Sequence, residues 1–236
     1  MYKRAFKTFC ANWPIFFLIS LTVAILEQFL PDLKSGGTLV IYGFAAMISH
    51  RIILLGESYK LAQNTAPSQQ LPYWGFIWRY IVFFVICVAI IMIALVAIVL
   101  FVPNAKSALD GNLTVQTTVT LCSIGLLCLA SWGMSLALWG TCLPAAAIKA
   151  DASFSAARQR SRGQVWRIFA RLALGPFAYT LASTVCIGVA LYWVEILEIP
   201  VIATVIISSL IGLLGLFTTH LVATILSMAY DDGEAV

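Results

Sequence analysis

The sequence predicts an all-α, polytopic membrane helix bundle: six transmembrane helices, with one basic amphipathic interfacial helix between the fourth and the fifth. Three observations predict it. Of the 236 residues, 61% are hydrophobic and 10% charged, against about 25% charged in an ordinary soluble domain. The apolar residues fall into uninterrupted runs at about 13–30, 38–55, 77–102, 115–148, 176–194 and 201–230, and most reach the roughly 20 residues a helix needs to cross a bilayer. The basic residues also partition by loop. Lys3, Arg4, Lys7, Arg51, Lys60, Arg79, Lys149, Arg158, Arg160, Arg162, Arg167 and Arg171 fall on one side of a six-span chain, and only Lys34 and Lys106 on the other.

Lys and Arg are retained on the cytoplasmic side, so both termini are expected there, and an odd number of spans would break the partition. Helices are the element expected, because lipid satisfies no exposed backbone group and the chain lacks the alternating pattern of an outer-membrane barrel. Residues 1–236 therefore read as a single integral membrane domain. A net charge of +4 scattered over loops is no nucleic-acid face, and no nucleic-acid partner is expected.

The first span is read as retained. Met1 to Leu30 has the charged start and apolar run of a secretory signal, but no small-x-small cleavage site precedes Pro31. Asn12 is placed to cap it, and Pro14 stands where a helix start tolerates a missing N–H. The second span carries His50 and Arg51 towards its inner end, with Glu57 just beyond, while Glu27 lies near the outer end of the first. Glu27, Arg51 and Glu57 are expected to snorkel to the interface. The fourth span carries Ala130, Gly133, Ala137 and Gly140, and the sixth Ser208, Gly212, Gly215 and Thr219, at spacings of three and four. Such small-residue stripes let helix backbones approach within lipid, as a packing seam of this bundle or as the face of a partner subunit.

Between the fourth and fifth spans, residues 151–174 carry five of the basic residues. Phe154, Ala157, Ser161, Val165, Ile168 and Leu172 recur at helical spacing, with Arg160, Gln164, Arg167 and Arg171 as an opposite stripe, which predicts a helix lying on the membrane. Asp151 or Ser153 is expected to cap it, and Gly175-Pro176 to end it and open the fifth span. Each base near an anionic leaflet is worth about 1 kcal/mol. Arg158, Arg160, Arg162, Arg167 and Arg171 are thus the candidate contacts to phospholipid headgroups or an acidic partner.

Pro144, Asp151, Ser153-Phe154, Ala157, Ser161-Arg162-Gly163 and Trp166-Arg167, in that order, resemble a group of uncharacterised six-helix bacterial inner-membrane proteins. These are in turn similar to the membrane domain attached to some glycerophosphodiester phosphodiesterases. The resemblance covers roughly 139–178, about a sixth of the chain. It implies a bacterial inner membrane; the phosphodiesterase activity belongs to a soluble domain with no counterpart in this sequence.

Intramembrane ionisable groups are functional candidates by default, and here they are few. Residues 81–101, 114–148, 172–194 and 199–219 contain no Asp, Glu, Lys, Arg or His, so no relay of carboxylates for an ion-coupled pump is expected. His50 and His220 are the only histidines. Two imidazoles at matching depth are possible cofactor ligands, for a haem or a chlorophyll-type pigment, against the commoner reading of buried, hydrogen-bonded histidines. Gly133-Met134-Ser135 with His220 and His50 is also similar to the constellation of rhomboid intramembrane proteases. That family's glycine after the serine is Leu136 here, and its glycine three residues after the histidine is Ala223, so no protease is expected. Cys10, Cys87, Cys122, Cys128, Cys142 and Cys186 form no CxxC, and neither metal nor disulfide is expected of them.

The function these features predict is a non-catalytic accessory or scaffolding subunit, packing against other membrane proteins or a second copy of itself and against anionic phospholipids, with no resident cofactor. One alternative is a lipid or small-solute transport or regulatory protein, with a polar cavity lined by Ser131, Ser135, Thr141 and Ser208. The other is the pigment- or haem-binding subunit.

Overall fold

A computed structural model describes residues 1–29, 34–57, 71–101, 115–196 and 200–235. Among them every regular element is a helix and there is no strand. The order is α1 (Tyr2–Ala11), α2 (Trp13–Phe29), α3 (Lys34–Leu55), α4 (Tyr73–Phe101), α5 (Val115–Trp139), α6 (Cys142–Ala147), α7 (Phe154–Ser161) and α8 (Val165–Leu172). A π turn (Ala173–Phe177) follows, then α9 (Ala178–Ile196) and α10 (Val201–Glu234). Four stretches, Gly37–Leu55, Tyr73–Ile93, Val165–Val185 and Ile202–Glu234, are long and apolar enough to cross a membrane. The bent pair α1–α2 makes a fifth if taken together, and α5 offers a shorter apolar stretch, Gly125–Trp139.

Helix α10 is the axis of the fold. It packs along α2 and α3, and further towards its C-terminus against α1, α6, α7, α8 and the π turn. Two apolar clusters result. The smaller joins Phe16 and Ile19 of α2, Ala45, Ile48 and Ile52 of α3 and Leu216 of α10. The larger joins Met47, Phe76, Leu136, Ala145, Ile168, Leu172 and Ile225 from six helices. The outer portions of α4, α5 and α9 bury little: Met92, Ile93, Leu100, Leu126, Leu127, Leu181 and Val185 are all exposed. Within hydrocarbon no hydrophobic force pulls such surfaces together.

Three expectations are corrected by the structure. The first run does begin a helix at Trp13, but that helix is not the first of the chain. A separate helix, α1, precedes it, and the two meet at 78°. Pro14 has no N–H to give the Cys10 carbonyl, so a straight helix cannot run through. The chain turns at Asn12, whose N–H goes to Phe9 at 3.1 Å while its side-chain amide donates to the Thr8 carbonyl at 3.0 Å. Asn12 thus finishes α1 at the bend. The signal for α1 was legible: Tyr2, Ala5, Phe6 and Phe9 repeat at helical spacing between Lys3, Arg4 and Lys7.

The run at 115–148 is also broken. Helix α5 ends at Trp139, and the chain turns at Gly140-Thr141 into the fully buried α6. Helix α6 closes with a Schellman motif, in which Ala150 N–H bonds Ala145 at 2.9 Å and Lys149 N–H bonds Ala146 at 3.3 Å. The left-handed position usually held by glycine is Lys149, with φ 63°.

Residues 151–174 form two helices instead of one. Ser153 is the N-cap of α7, its hydroxyl accepting from Ala156 N–H at 3.2 Å. Gly163, at φ 85°, then turns the chain before α8. The second half does not stop at Gly175-Pro176. It widens into the π turn and continues as α9, because i→i+5 spacing accommodates the proline ring and its missing N–H. The Leu174 carbonyl in that turn accepts from the Tyr2 hydroxyl.

Candidate functional site

Among the described residues, the ion pairs gather at the end of the bundle that carries both termini. Arginines there reach backbone carbonyls, two of them in the last turn of a helix. Arg4 of α1 donates to Ile53 of α3 at 3.2 Å, Arg51 of α3 to Ala147 of α6 at 3.0 Å, and Arg79 of α4 to Ala152 at 3.3 Å. The unsatisfied carbonyls of a helix C-terminus carry partial negative charge, so cations belong there. Arg51 is 4% exposed and is held in a two-point pair with Glu57, so the two share charge at the end of α3.

The five arginines of the basic segment separate into two sets. Arg160, Arg167 and Arg171 face the acidic end of α10. Arg160 pairs with Glu234 and lies 4.9 Å from the Tyr230 ring centre, while Asp232 sits 3.9 Å from both Arg167 and Arg171. Gln164 ties the same helices, donating to Ala229 at 3.0 Å and to Arg160 at 2.8 Å through its amide. The stripe read from sequence as pointing away from the bundle is therefore held largely by the chain's own C-terminal helix. Its acidic partner is in the same molecule.

Arg158 and Arg162 form the other set. Both are exposed, and among the described residues their guanidinium groups have no carboxylate or carbonyl partner. With Ser155, Gln159, Gly163, Val165 and Leu138 of α5 they line a cleft of about 670 Å³ at the α7–α8 turn, within the range of small-molecule sites. Asp151, at the start of this segment, accepts the Ser153 N–H at 2.9 Å, and that bond holds its carboxyl below the usual range.

Both histidines are buried, on the facing helices α3 and α10. His50 Nδ1 meets Ser227 Oγ at 2.9 Å, and His220 Nε2 meets Thr8 Oγ1 at 2.8 Å. His220 Nδ1 makes no well-formed hydrogen bond, with the Ala5 carbonyl its neighbour. Phe9 and Phe16 pack on His220 with ring centres at 5.7 and 5.4 Å, and Phe76 on His50 at 6.1 Å. A macrocycle on either imidazole would have to displace these rings. Among the described residues, no three His, Cys, Asp or Glu side chains gather as a metal site.

The small-residue stripes lie mostly between helices of this chain. A Cβ on Gly133 would stand 2.8 Å from Phe177 and 3.0 Å from Phe169, and one on Gly140 2.7 Å from Leu226. Gly212 lies against Ser20 of α2, and Gly215 against Tyr42 of α3. Ala137 is buried, Ser208 and Thr219 are half-buried, and Ala130 is exposed. Two of the four hydroxyls read as a possible cavity lining point to backbone: Ser135 donates to Ser131 and Thr141 to Ala157. Cys10 and Cys122 are exposed and Cys142 is buried.

No family model, curated protein or solved structure matches this chain.

Proposed function

We propose that the chain is a six-span membrane protein without catalysis of its own, an accessory or scaffolding subunit of a bacterial inner membrane with both termini on the cytoplasmic side. The observation that carries the reading is a basic, tryptophan-flanked rim stitched rigidly beneath uncovered apolar helices. Trp74, Trp78 and Trp166 are all exposed at the end where Arg79 meets Ala152, which is the pattern of an interfacial aromatic belt. Above them the outward faces of α4, α5 and α9 are apolar, fit to be covered by acyl chains or by another membrane protein.

Native mass spectrometry of the protein, extracted from its own membrane in the mildest workable detergent, tests the proposal. A mass raised by whole proteins, or by a second copy, supports it and names the partner. A bare monomer in every detergent overturns the accessory role. Accessibility of tags at the two termini, to a protease added from either side of the membrane, tests the six-span topology. Termini on opposite sides would refute it.

A further inference from the structure

We infer that the cleft at the α7–α8 turn is a binding site for a single anionic phospholipid, with Arg158 and Arg162 on its phosphate and Leu138 and Val165 along the start of its acyl chain. The inference rests on the reading of the chain as a membrane protein.

The first support is how the segment sorts its charge. Arg160, Arg167 and Arg171 each have a carboxylate of α10 within 4.0 Å. Arg158 and Arg162 do not, although they alternate in sequence with residues that face the clasp. Arg158 lies in the last turn of α7 and Arg162 is its C-cap, and both line the cleft. Two arginines lining one cleft are suited to the oxygens of a phosphodiester, since guanidinium binds such oxygens in paired hydrogen bonds.

The second support is the shape of the turn. No atom lies within 4 Å of the position a Cβ on Gly163 would take, so a ligand can approach the backbone there. Ser155 and Gln159 add a hydroxyl and an amide on the same wall, as needed for the glycerol or headgroup oxygens of a lipid. The third is the opposite wall, where Leu138 belongs to the apolar α5 and Val165 opens α8. A free phosphate has no use for an apolar wall. A lipid does, and the exposed Trp166 beside Val165 puts the cleft at the level where headgroups lie.

The test is native mass spectrometry of the full chain in detergent micelles doped with phosphatidylglycerol or with phosphatidylcholine. Retention of one phosphatidylglycerol per chain, with phosphatidylcholine held far less, is expected. Replacing both bases, R158Q/R162Q, should weaken it about thirtyfold, the loss of two charges each worth about 1 kcal/mol at a membrane surface. Ser155→Glu, which sets a carboxylate in the same cleft at an exposed position, should do likewise without removing an arginine. R167Q/R171Q, altered on the clasped side, should retain the lipid.

Equal retention by R158Q/R162Q and Ser155→Glu, or equal loss in R167Q/R171Q, would overturn the site. So would displacement of the lipid by millimolar inorganic phosphate, which would assign the cleft to the free anion. Recovery in the membrane fraction is scored in the same preparations. A chain that leaves the membrane refutes the proposed function, whereas a chain that stays but holds no lipid refutes the site alone.

Discussion

His50 of α3 and Ser227 of α10 share a 2.9 Å hydrogen bond between two buried side chains that are 177 positions apart in the chain. Neither group has water to turn to, so the bond fixes the rotation of one helix against the other. Ser227→Ala should destabilise the fold by about 1 kcal/mol, the scale of an interhelical hydrogen bond within a membrane bundle. His50→Phe combined with Ser227→Ala should cost less than the sum of the single changes. Thermal unfolding in detergent, followed by tryptophan fluorescence, gives the four values of the cycle. Strict additivity would show that the contact carries no energy.

Gly212 and Gly125 should respond oppositely to a side chain. A Cβ on Gly212 meets Ser20, whose hydroxyl donates to the Ser209 carbonyl at 2.5 Å, whereas a Cβ on Gly125 meets nothing within 4 Å. Gly212→Val is expected to cost about 2 kcal/mol or more through overpacking. Gly125→Ala should be neutral or stabilise by up to about 1 kcal/mol through helix propensity. The same unfolding assay compares them, and a Gly212→Val protein as stable as the parent would show that α2 and α10 do not touch there.

Lys149 holds a left-handed backbone conformation at the end of α6. A side chain there is crowded by its own carbonyl, at a cost of about 1 kcal/mol relative to glycine. Lys149→Gly should therefore raise the unfolding temperature, despite loosening the unfolded chain. A lower temperature would mean that the lysine side chain has a role of its own at this rim.

The α10 clasp should be sensitive to salt. Arg160 is mostly buried, with one guanidinium nitrogen lacking a partner, and Glu234 is half exposed. Glu234→Gln should destabilise by about 1 kcal/mol at low ionic strength and by less at 1 M salt, where screening is stronger. Asp232→Asn should cost under about 0.5 kcal/mol, because its pairs are long and exposed. Limited proteolysis of the α10 end reads out both. Equal cutting of parent and Glu234→Gln would show the pair is idle.

Apolar run length located α2, α3, α4, α9 and α10 in the sequence to within a few residues, because each is a continuous stretch whose composition alone demands a helix in lipid. It misjudged the places where chain direction changes inside apolar sequence. The turn at Gly140-Thr141 and the π turn through Pro176 both leave hydropathy unbroken. Pro14 and Pro176 were visible, but a proline opens one helix and is absorbed by a widened turn in another. Only the neighbours, such as Tyr2 on the Leu174 carbonyl, decide which.

The pairing of charges was less legible. The arginine stripe at 160, 167 and 171 read as a face for headgroups or an acidic partner, and nothing local tied it to the acids at 231, 232 and 234. Their meeting depends on α10 running back to the level of α7, a long-range fact that no local period encodes. The break between α7 and α8 at Gly163, whose φ is positive, was equally hidden. The inward stripe, in contrast, was plain: Ala157, Ser161, Ile168 and Leu172 are all buried as their spacing requires.

The central place of α10 also sets an order of events during synthesis. Helices α1, α2, α3, α6, α7 and α8 leave the ribosome before the segment that each of them packs against. Until it arrives, His50 lacks its hydroxyl, Arg160 lacks its carboxylate, and α2 and α3 lack the helix along which both pack. Entry into the lipid and closure of the bundle are thus separate stages, and the interval between them is the time needed to translate and insert α10. A chain stalled within that interval would present its unpaired polar groups to the quality-control proteases of the membrane.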